Sequence, residues 1–332
     1  MTPAARPSST FSVVAALLTV YLVWGSTYLA IAYVVETLPP FLAAGTRFLA
    51  AGGILVAFLL AQDRWRRARG ADRPRLTRPR LVEWRTALVV GVLLLLGGNG
   101  MVMVAEQTIP SGIAAVIIAT VPIWMSVFDA LITRRAPSRL AMGGLVVGLV
   151  GVAILLLPGQ GLDALDPFGI GFLVLATVSW AAGSLYARHG PLPRNQLLGT
   201  GMEQLAGGAA LAVLALSVGE LGRVDVASVA VESWIALAYL IVFGSLLAFT
   251  AYVWLLNHVA VTTVATYAYV NPIVAVALGM AFRAEALTPR TLLAAALILG
   301  AVVAMVSGRP REAEEAGPCP ETASLEPADE RA

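Results

Sequence analysis

The chain has 332 residues, of which 58% are hydrophobic and 13% are charged, whereas about 25% of the residues in a soluble domain are charged. All 22 basic residues are arginine. This excludes a P-loop ATPase, which needs a lysine, and a retinal or pyridoxal protein that holds its cofactor through a lysine Schiff base. The one cysteine, Cys319, cannot form a disulfide within the chain. This composition indicates an integral membrane protein, and we expect no bound cofactor or metal.

Apolar runs recur along the chain, each close to the roughly 20 residues that a helix needs to cross about 30 Å of hydrocarbon. The first run is longer than the apolar segment of a typical signal peptide, so we interpret it as an uncleaved span. The sequence therefore predicts an all-α integral membrane protein with ten transmembrane helices. Their expected bounds are 12–34, 40–61, 86–106, 112–133, 140–157, 167–187, 197–217, 233–255, 262–282 and 289–308.

Arginine is unevenly distributed between the two sets of loops. Nine arginines lie in residues 64–85, between the second and third spans, whereas the loops on the opposite side hold only Arg223, Arg283 and Arg290. The positive-inside rule then places both termini in the cytoplasm. We interpret the 64–85 stretch as a loop beside anionic lipid headgroups rather than a nucleic-acid site. The acidic tail, residues 309–332, is predicted to be disordered.

The two halves of the chain resemble each other. A shift of 156 residues places Trp24 on Trp180 and GTRFLAAG (45–52) on GMEQLAGG (201–208). The matched glycines, Gly45 and Gly52 in the first half, predict that both segments lie in close helix contacts. The matches run in order from the first five spans to the last five, and a unit with an odd number of spans must lie upside down relative to its copy. Inverted repeats of this kind are a transporter architecture. The sequence thus predicts two inverted five-helix repeats, with expected bounds 11–158 and 166–308.

Two prolines match in the same way. A shift of 150 residues aligns Pro122 with Pro272, each near the middle of its predicted span. Proline removes a backbone donor and frees a carbonyl one turn earlier, and in lipid that carbonyl must be satisfied by protein or by water in a cavity. We interpret both prolines as helix breaks or hinges beside a central site. An ordinary packing kink is the alternative.

Three stretches resemble the EamA domain. WGSTYLAIAYVVETLPPFLAAGTRF (24–48) is similar to its opening, AAVIIATVPIW (114–124) to its fourth span, and residues 264–303, which begin VATYAYVNPIV, to its end. The whole resembles the drug/metabolite transporter superfamily, in the ten-span branch of YedA-like exporters with two EamA domains. This resemblance implies a secondary transporter of the bacterial inner membrane, not an enzyme. It would export small metabolites, amino acids or drug-like amphipathic solutes by alternating access. A channel-like facilitative permease and an importer remain open alternatives, and so does a homodimer.

Aromatic and polar side chains form stripes on several predicted helices, because residues three or four apart share one helical face. In span 1 the stripe contains Trp24 and Tyr28, and in span 6 Trp180 and Ser184. We interpret the stripes as walls of one central cavity for a small amphipathic solute. Interfacial anchoring and helix packing are the alternatives. The complete set of cavity candidates is Trp24, Tyr28, Asn99, Met103, Thr120, Trp124, Trp180, Ser184, Tyr252, Tyr267 and Asn271.

Two charged residues lie inside predicted spans at equivalent positions of the repeats, namely Arg47 and Glu203. An ionisable group inside a membrane is by default a functional hypothesis. Glu203 is either a proton-coupling carboxylate, since burial disfavours its charged form, or a structural polar contact. Arg47 cannot readily lose its proton, so we expect it to hold backbone carbonyls or a carboxylate such as Glu106. We do not expect a direct ion pair between Arg47 and Glu203.

Overall fold

A computed structural model describes residues 10–69, 76–134, 139–156, 165–259, 264 and 266–307. Within these ranges the chain is helical and contains no strand, which confirms the predicted all-α class. Cys319 and the 309–332 tail lie outside the described residues. The α-helices are α1 (Thr10–Val35), α2 (Pro40–Ala68), α3 (Leu81–Gly91), α4 (Met101–Ala105), α5 (Ser111–Ile118), α6 (Val121–Thr133), α7 (Arg139–Leu156), α8 (Pro167–His189), α9 (Gln196–Ser217), α10 (Val231–Tyr239), α11 (Phe249–His258), α12 (Tyr267–Arg283) and α13 (Pro289–Ser307).

Seven helical stretches of the described chain are long and apolar enough to cross a membrane. They fall on predicted spans 1 to 4 and 6 to 8 and comprise Thr10–Val35, Pro40–Ala68, Leu81–Ala105, Ser111–Ile132, Pro167–Arg188, Gln196–Ser217 and Val231–Leu255. Predicted spans 5, 9 and 10 fall on α7, α12 and α13, which have 18, 17 and 19 residues. Each of these three predicted spans includes residues outside the described ranges. The count of ten and the inverted relation of the halves therefore stay predictions.

Helices α2 and α9 pack closely at glycines that the two halves share. A Cβ atom on Gly45 would lie 3.3 Å from Gly208 O, and one on Gly52 would lie 2.9 Å from both Gly201 O and Leu205 N. Small residues let two helix backbones approach in this way, which gives van der Waals contact where lipid offers no hydrophobic driving force. The close helix contact expected from the matched glycines is confirmed.

Each half contains one long helix that is interrupted by a nine-residue π-helical segment. The segment π1 (Val92–Gly100) joins α3 to α4, and π2 (Leu240–Ala248) joins α10 to α11. A π-helix has hydrogen bonds from i to i+5, so each segment changes the rotation of the α-helix that follows it relative to the α-helix that precedes it. Nothing in the apolar sequence predicted either segment. They have a direct effect on which side chains reach the candidate site.

The two matched prolines occupy different structural positions. Helix α5 ends at Ile118 and α6 begins at Val121, so Pro122 lies in the first turn of a helix, where its missing N–H removes no hydrogen bond. Helix α12, in contrast, continues through Pro272. The chain turns before that helix, at Thr266. A helix break therefore accompanies Pro122 but not Pro272, and a hinge at either residue stays a prediction.

Two loop carboxylates cap helix N-termini. Glu285 accepts hydrogen bonds from Ser111 N (3.0 Å), Ser111 Oγ (2.7 Å) and Gly112 N (3.0 Å) at the start of α5. Glu220, in a 3₁₀ turn over Glu220–Arg223, accepts from Leu42 N (2.7 Å) at the start of α2. The first amides of a helix have no partner within it, and its positive end favours an anion. These contacts hold the loops against the helix ends.

Replacement of Glu285 by glutamine is expected to lower the melting temperature of the purified protein in detergent by several degrees. The change removes a charged acceptor of three hydrogen bonds, and a hydrogen bond to a charged group contributes about 1.5–3 kcal/mol. The control is Glu232→Gln, since Glu232 is exposed in the first turn of α10. Thermal unfolding followed by intrinsic fluorescence measures both variants. Equal melting temperatures for Glu285→Gln and the wild type would contradict the capping role.

Candidate functional site

Four aromatic rings of the described chain pack around the ring of Trp24, which makes a group of five. Its ring centroid lies 5.7 Å from that of Trp180, 4.8 Å from Tyr252, 5.4 Å from Tyr267 and 6.4 Å from Phe249. Trp180 and Tyr267 meet it edge-on, at interplanar angles of 88° and 89°, a geometry that aromatic pairs prefer. We refer to these five residues as the aromatic cluster. The cluster unites stripes that the sequence predicted on spans 1, 6, 8 and 9.

Glycines in the two π segments make room for this arrangement. A Cβ atom on Gly98 would lie 2.8 Å from Cε3 of Trp180, and one on Gly244 would lie 2.9 Å from Nη2 of Arg47. Trp24 Nε1 also donates a hydrogen bond to Gly244 O (3.3 Å). The sequence interpretation did not include these glycines among the candidate residues. The signal was present for Gly244, since it is a single glycine in the otherwise bulky run LIVFGSLL.

A small cavity of about 70 Å³ adjoins the aromatic cluster. A water molecule needs roughly 10–15 Å³ of such space, so this volume has room for the polar head of a small solute. Seven residues that the sequence predicted as cavity lining or as intramembrane charge form part of its wall. They are Trp24, Tyr28, Arg47, Asn99, Trp180, Tyr267 and Asn271.

A large cavity of about 380 Å³ is also lined by part of the cluster. The predicted residues Ser184, Glu203 and Tyr252 line it, together with side chains at the connection between α8 and α9, including Arg188 and Arg194. Phe249 lines both cavities. The aromatic cluster therefore contributes walls to two cavities, whereas the sequence predicted one.

Three cavity candidates line neither cavity, namely Met103, Thr120 and Trp124. Met103 is fully buried in the apolar core. It was grouped with Asn99 by a spacing of four, but only Asn99, which lies in π1, lines the small cavity. The hydroxyl of Thr120 donates to Ile117 O (2.8 Å) at the end of α5. In this structure Thr120 therefore satisfies a helix end.

Arg47 is 3% exposed and lines the small cavity. Its Nε donates to Ser245 Oγ (2.8 Å), and its guanidinium carbon lies 4.7 Å from the centre of the Phe48 ring. Its Nη1 is buried and has no hydrogen-bond partner. The expectation that Arg47 holds Glu106 is not met, since both carboxylate oxygens of Glu106 are themselves buried without a partner. Sequence patterns could not supply the Ser245 contact, because it joins helices of the two halves.

Ser245 also connects to the helix that carries Glu203. Its backbone oxygen accepts a hydrogen bond from Nε2 of Gln204 (3.2 Å). Glu203 itself is 5% exposed, and no ion pair joins it to Arg47 among the described residues. Arg47 lines the small cavity and Glu203 lines the large one. No group of three His, Cys, Asp or Glu side chains in the described ranges could hold a metal ion.

Asn271 ties two helices of the site together. In the orientation that satisfies its neighbours, its amide nitrogen donates to Tyr267 O (3.2 Å) and to Tyr21 O (3.1 Å). This orientation is assigned from the hydrogen-bond network. The Tyr21 hydroxyl in turn bonds the Thr266 hydroxyl just before α12. These contacts fix α1 against α12 where the small cavity lies.

A bundle of apolar helices with two cavities fits the class of membrane proteins that carry solutes. Comparison with known proteins defines the family. The model of the EamA-like transporter family matches residues 11–157 and again residues 167–307. The chain therefore belongs to the EamA-like transporter family, and it is a membrane transporter rather than an enzyme.

Individual relatives agree with this assignment. The uncharacterized inner membrane transporter YedA of Escherichia coli strain K12 is 40% identical over 295 residues, which cover 89% of this chain and 90% of YedA. The uncharacterized transporter YvbV of Bacillus subtilis strain 168 is 25% identical over 88% of this chain and 91% of its own length. One solved crystal structure, 20% identical, covers 89% of this chain and 96% of its own with a TM-score of 0.58. That structure shows a shared fold.

Proposed function

We propose that the protein is a secondary transporter of the bacterial inner membrane that exports a small amphipathic solute by alternating access. The observation that carries this proposal is that the aromatic cluster lines both a small and a large cavity. A carrier must expose a central site to one side at a time. In this proposal the small cavity is the central site, the large cavity is the path to one side, and the cluster separates them.

Contacts between the halves support two inverted repeats. Trp24 packs against its counterpart Trp180. Gly52 packs against Gly201, and Gly45 packs against Gly208. Since Gly201 matches Gly45 and Gly208 matches Gly52, the contacts are reciprocal. Reciprocal contacts of this kind arise between surfaces that a two-fold axis relates. Such an axis in the membrane plane is what inverted repeats require. The rocking of one repeat against the other would then alternate access.

The arginine distribution supports a cytoplasmic opening of the large cavity, which an exporter needs in order to take up its solute. With both termini in the cytoplasm, as the positive-inside rule favours, the connection between α8 and α9 is cytoplasmic. The large cavity is lined by Arg188 and Arg194 of that connection, so it would open toward the cytoplasm. A solute would enter there and leave on the other side. The relationship to YedA, a transporter of the inner membrane, supports the same membrane for this chain.

A rescue screen followed by an exchange assay tests the proposal. Bacteria overproducing the protein would be challenged with toxic amino-acid analogues, carboxylic acids and amphipathic drugs, and an exporter is expected to raise tolerance to a chemically related subset. The same solute would then be loaded into proteoliposomes. A carrier accelerates uptake of labelled solute when unlabelled solute is inside, whereas a channel does not. Greater sensitivity instead of tolerance would indicate an importer, and the absence of counter-transport would indicate a channel-like permease.

The role of Glu203 in energy coupling is a separate prediction. Glu203 lines the large cavity and is buried. If it carries the exchanged proton, Glu203→Gln should abolish the dependence of export on a pH gradient and leave solute-for-solute exchange intact. Glutamine keeps the size and polarity of the side chain in the cavity wall but cannot release a proton. Glu232→Gln, at an exposed position, is the control. Export that keeps its full pH dependence in Glu203→Gln would remove the proton role and leave Glu203 a structural contact.

A further inference from the structure

The guanidinium of Arg47 is incompletely satisfied at the small cavity. Arginine presents five N–H donors and stays charged in proteins. Arg47 uses Nε on Ser245 Oγ (2.8 Å), and it packs over the Phe48 ring. Nη1 is buried without a partner. A buried charged donor without an acceptor is costly, so this arrangement is explained if an acceptor from outside the protein completes it.

The cavity wall supplies no counter-charge. Arg47 is the one charged residue among those that line the small cavity in the described chain. Glu203 lines the other cavity, and none of the ion pairs of the described residues includes Arg47. Asn99 adds an amide to the same wall, and an amide can both donate and accept. The rest of the wall is largely aromatic and aliphatic, including Trp24 and Trp180.

We propose that the small cavity binds the carboxylate of a monoanionic solute, with Arg47 as the anion-binding residue and the aromatic cluster against the solute's apolar body. This inference rests on the proposed transport function and adds the substrate class. A single carboxylate matches one guanidinium in charge and in its planar two-donor geometry. A doubly charged phosphate would leave a net negative charge in a buried site, where an uncompensated charge is unfavourable.

Equilibrium binding to the purified full-length protein in detergent tests the assignment. The probes are two pairs of similar shape, phenylacetate with phenylacetamide and hexanoate with hexanamide, measured by calorimetry. The wild type is expected to bind each carboxylate at least about tenfold more tightly than its amide, since charge-assisted hydrogen bonds are roughly twice as strong as neutral ones. Arg47→Gln is expected to lose this preference. Arg223→Gln, which removes the same charge from an exposed turn, is expected to retain it.

A second variant guards against a folding defect. Arg47→Lys keeps the positive charge but lacks the planar fork, so the preference for carboxylates should shrink without vanishing. Equal binding of acid and amide, binding of neither, a preference that survives Arg47→Gln, or an undiminished preference in Arg47→Lys would each overturn the assignment. Binding at equilibrium does not require transport. If the wild type prefers carboxylates but transports no solute, only the proposed function is overturned. If it transports a solute but shows no preference for carboxylates, only this inference is overturned.

Discussion

Replacement of Gly52 by alanine is expected to destabilise the protein strongly. The new Cβ atom would lie 2.9 Å from Gly201 O and 2.9 Å from Leu205 N. These are backbone atoms of α9, which cannot rotate away as a side chain could, so α2 and α9 would have to separate. Overpacking of this kind costs on the order of 1–3 kcal/mol. A lower melting temperature in detergent and a smaller fraction of monodisperse protein on size exclusion are the expected results.

The neighbouring glycine is a matched control. A Cβ atom on Gly53 would meet no atom within 4 Å, and alanine favours a helix interior over glycine by about 0.5–1 kcal/mol. Gly53→Ala should therefore leave the melting temperature unchanged or raise it slightly. The two variants add the same methyl group to the same helix, one residue apart. If Gly52→Ala were as stable as Gly53→Ala, the close packing of α2 on α9 would be refuted.

Replacement of Trp24 by alanine is expected to reduce solute exchange in proteoliposomes by at least about tenfold, equivalent to about 1.4 kcal/mol. Trp24 is at the centre of the aromatic cluster, with four other rings within 6.4 Å between centroids. Its removal would take away a ring of the small cavity that would contact the solute, and with it the centre of the aromatic cluster. Exchange is measured with the solute that gives the strongest rescue in the tolerance screen.

Two further variants separate the role of the cluster from a general loss of a tryptophan. Trp24→Phe keeps an aromatic ring but loses the hydrogen bond from Nε1 to Gly244 O, so exchange should be intermediate. Trp234→Ala changes a tryptophan on α10 that is 43% exposed and should leave exchange unchanged. Full exchange by Trp24→Ala, with a melting temperature like that of the wild type, would show that the cluster is not part of the transport path.

Several features followed from the sequence because they depend on local composition and spacing. Apolar runs must become helices in lipid, since each backbone polar group needs a partner within the segment. For that reason the structure is helical, and seven of the predicted spans correspond to described helical stretches that are long and apolar enough to cross a membrane. Matched small residues also predicted a close helix contact correctly, because Gly45 and Gly52 remove the side chains that would hold α2 and α9 apart.

Other features were decided by the tertiary structure. The π segments change the rotation of the helices that follow them. Asn99, in π1, reaches the small cavity, whereas Met103, four residues later, lies in the core. Hydropathy is the same for α- and π-helix and cannot distinguish them. A helix break precedes Pro122, whereas helix α12 continues through its counterpart Pro272. Near Pro272 the chain turns earlier, at Thr266, and the position of a proline in the sequence does not say where the chain turns.

Arg47 shows the division most clearly. The sequence alone determined that a permanent cation lies inside an apolar helix, since its neighbours on both sides are apolar over the length of a span. Which groups surround it depends on how helices from both halves pack. The structure places Ser245 on Nε and leaves Nη1 without a partner beside an aromatic-lined cavity. Contacts between residues so far apart in the chain have no local sequence signal, and they are what turned an isolated charge into a candidate binding residue.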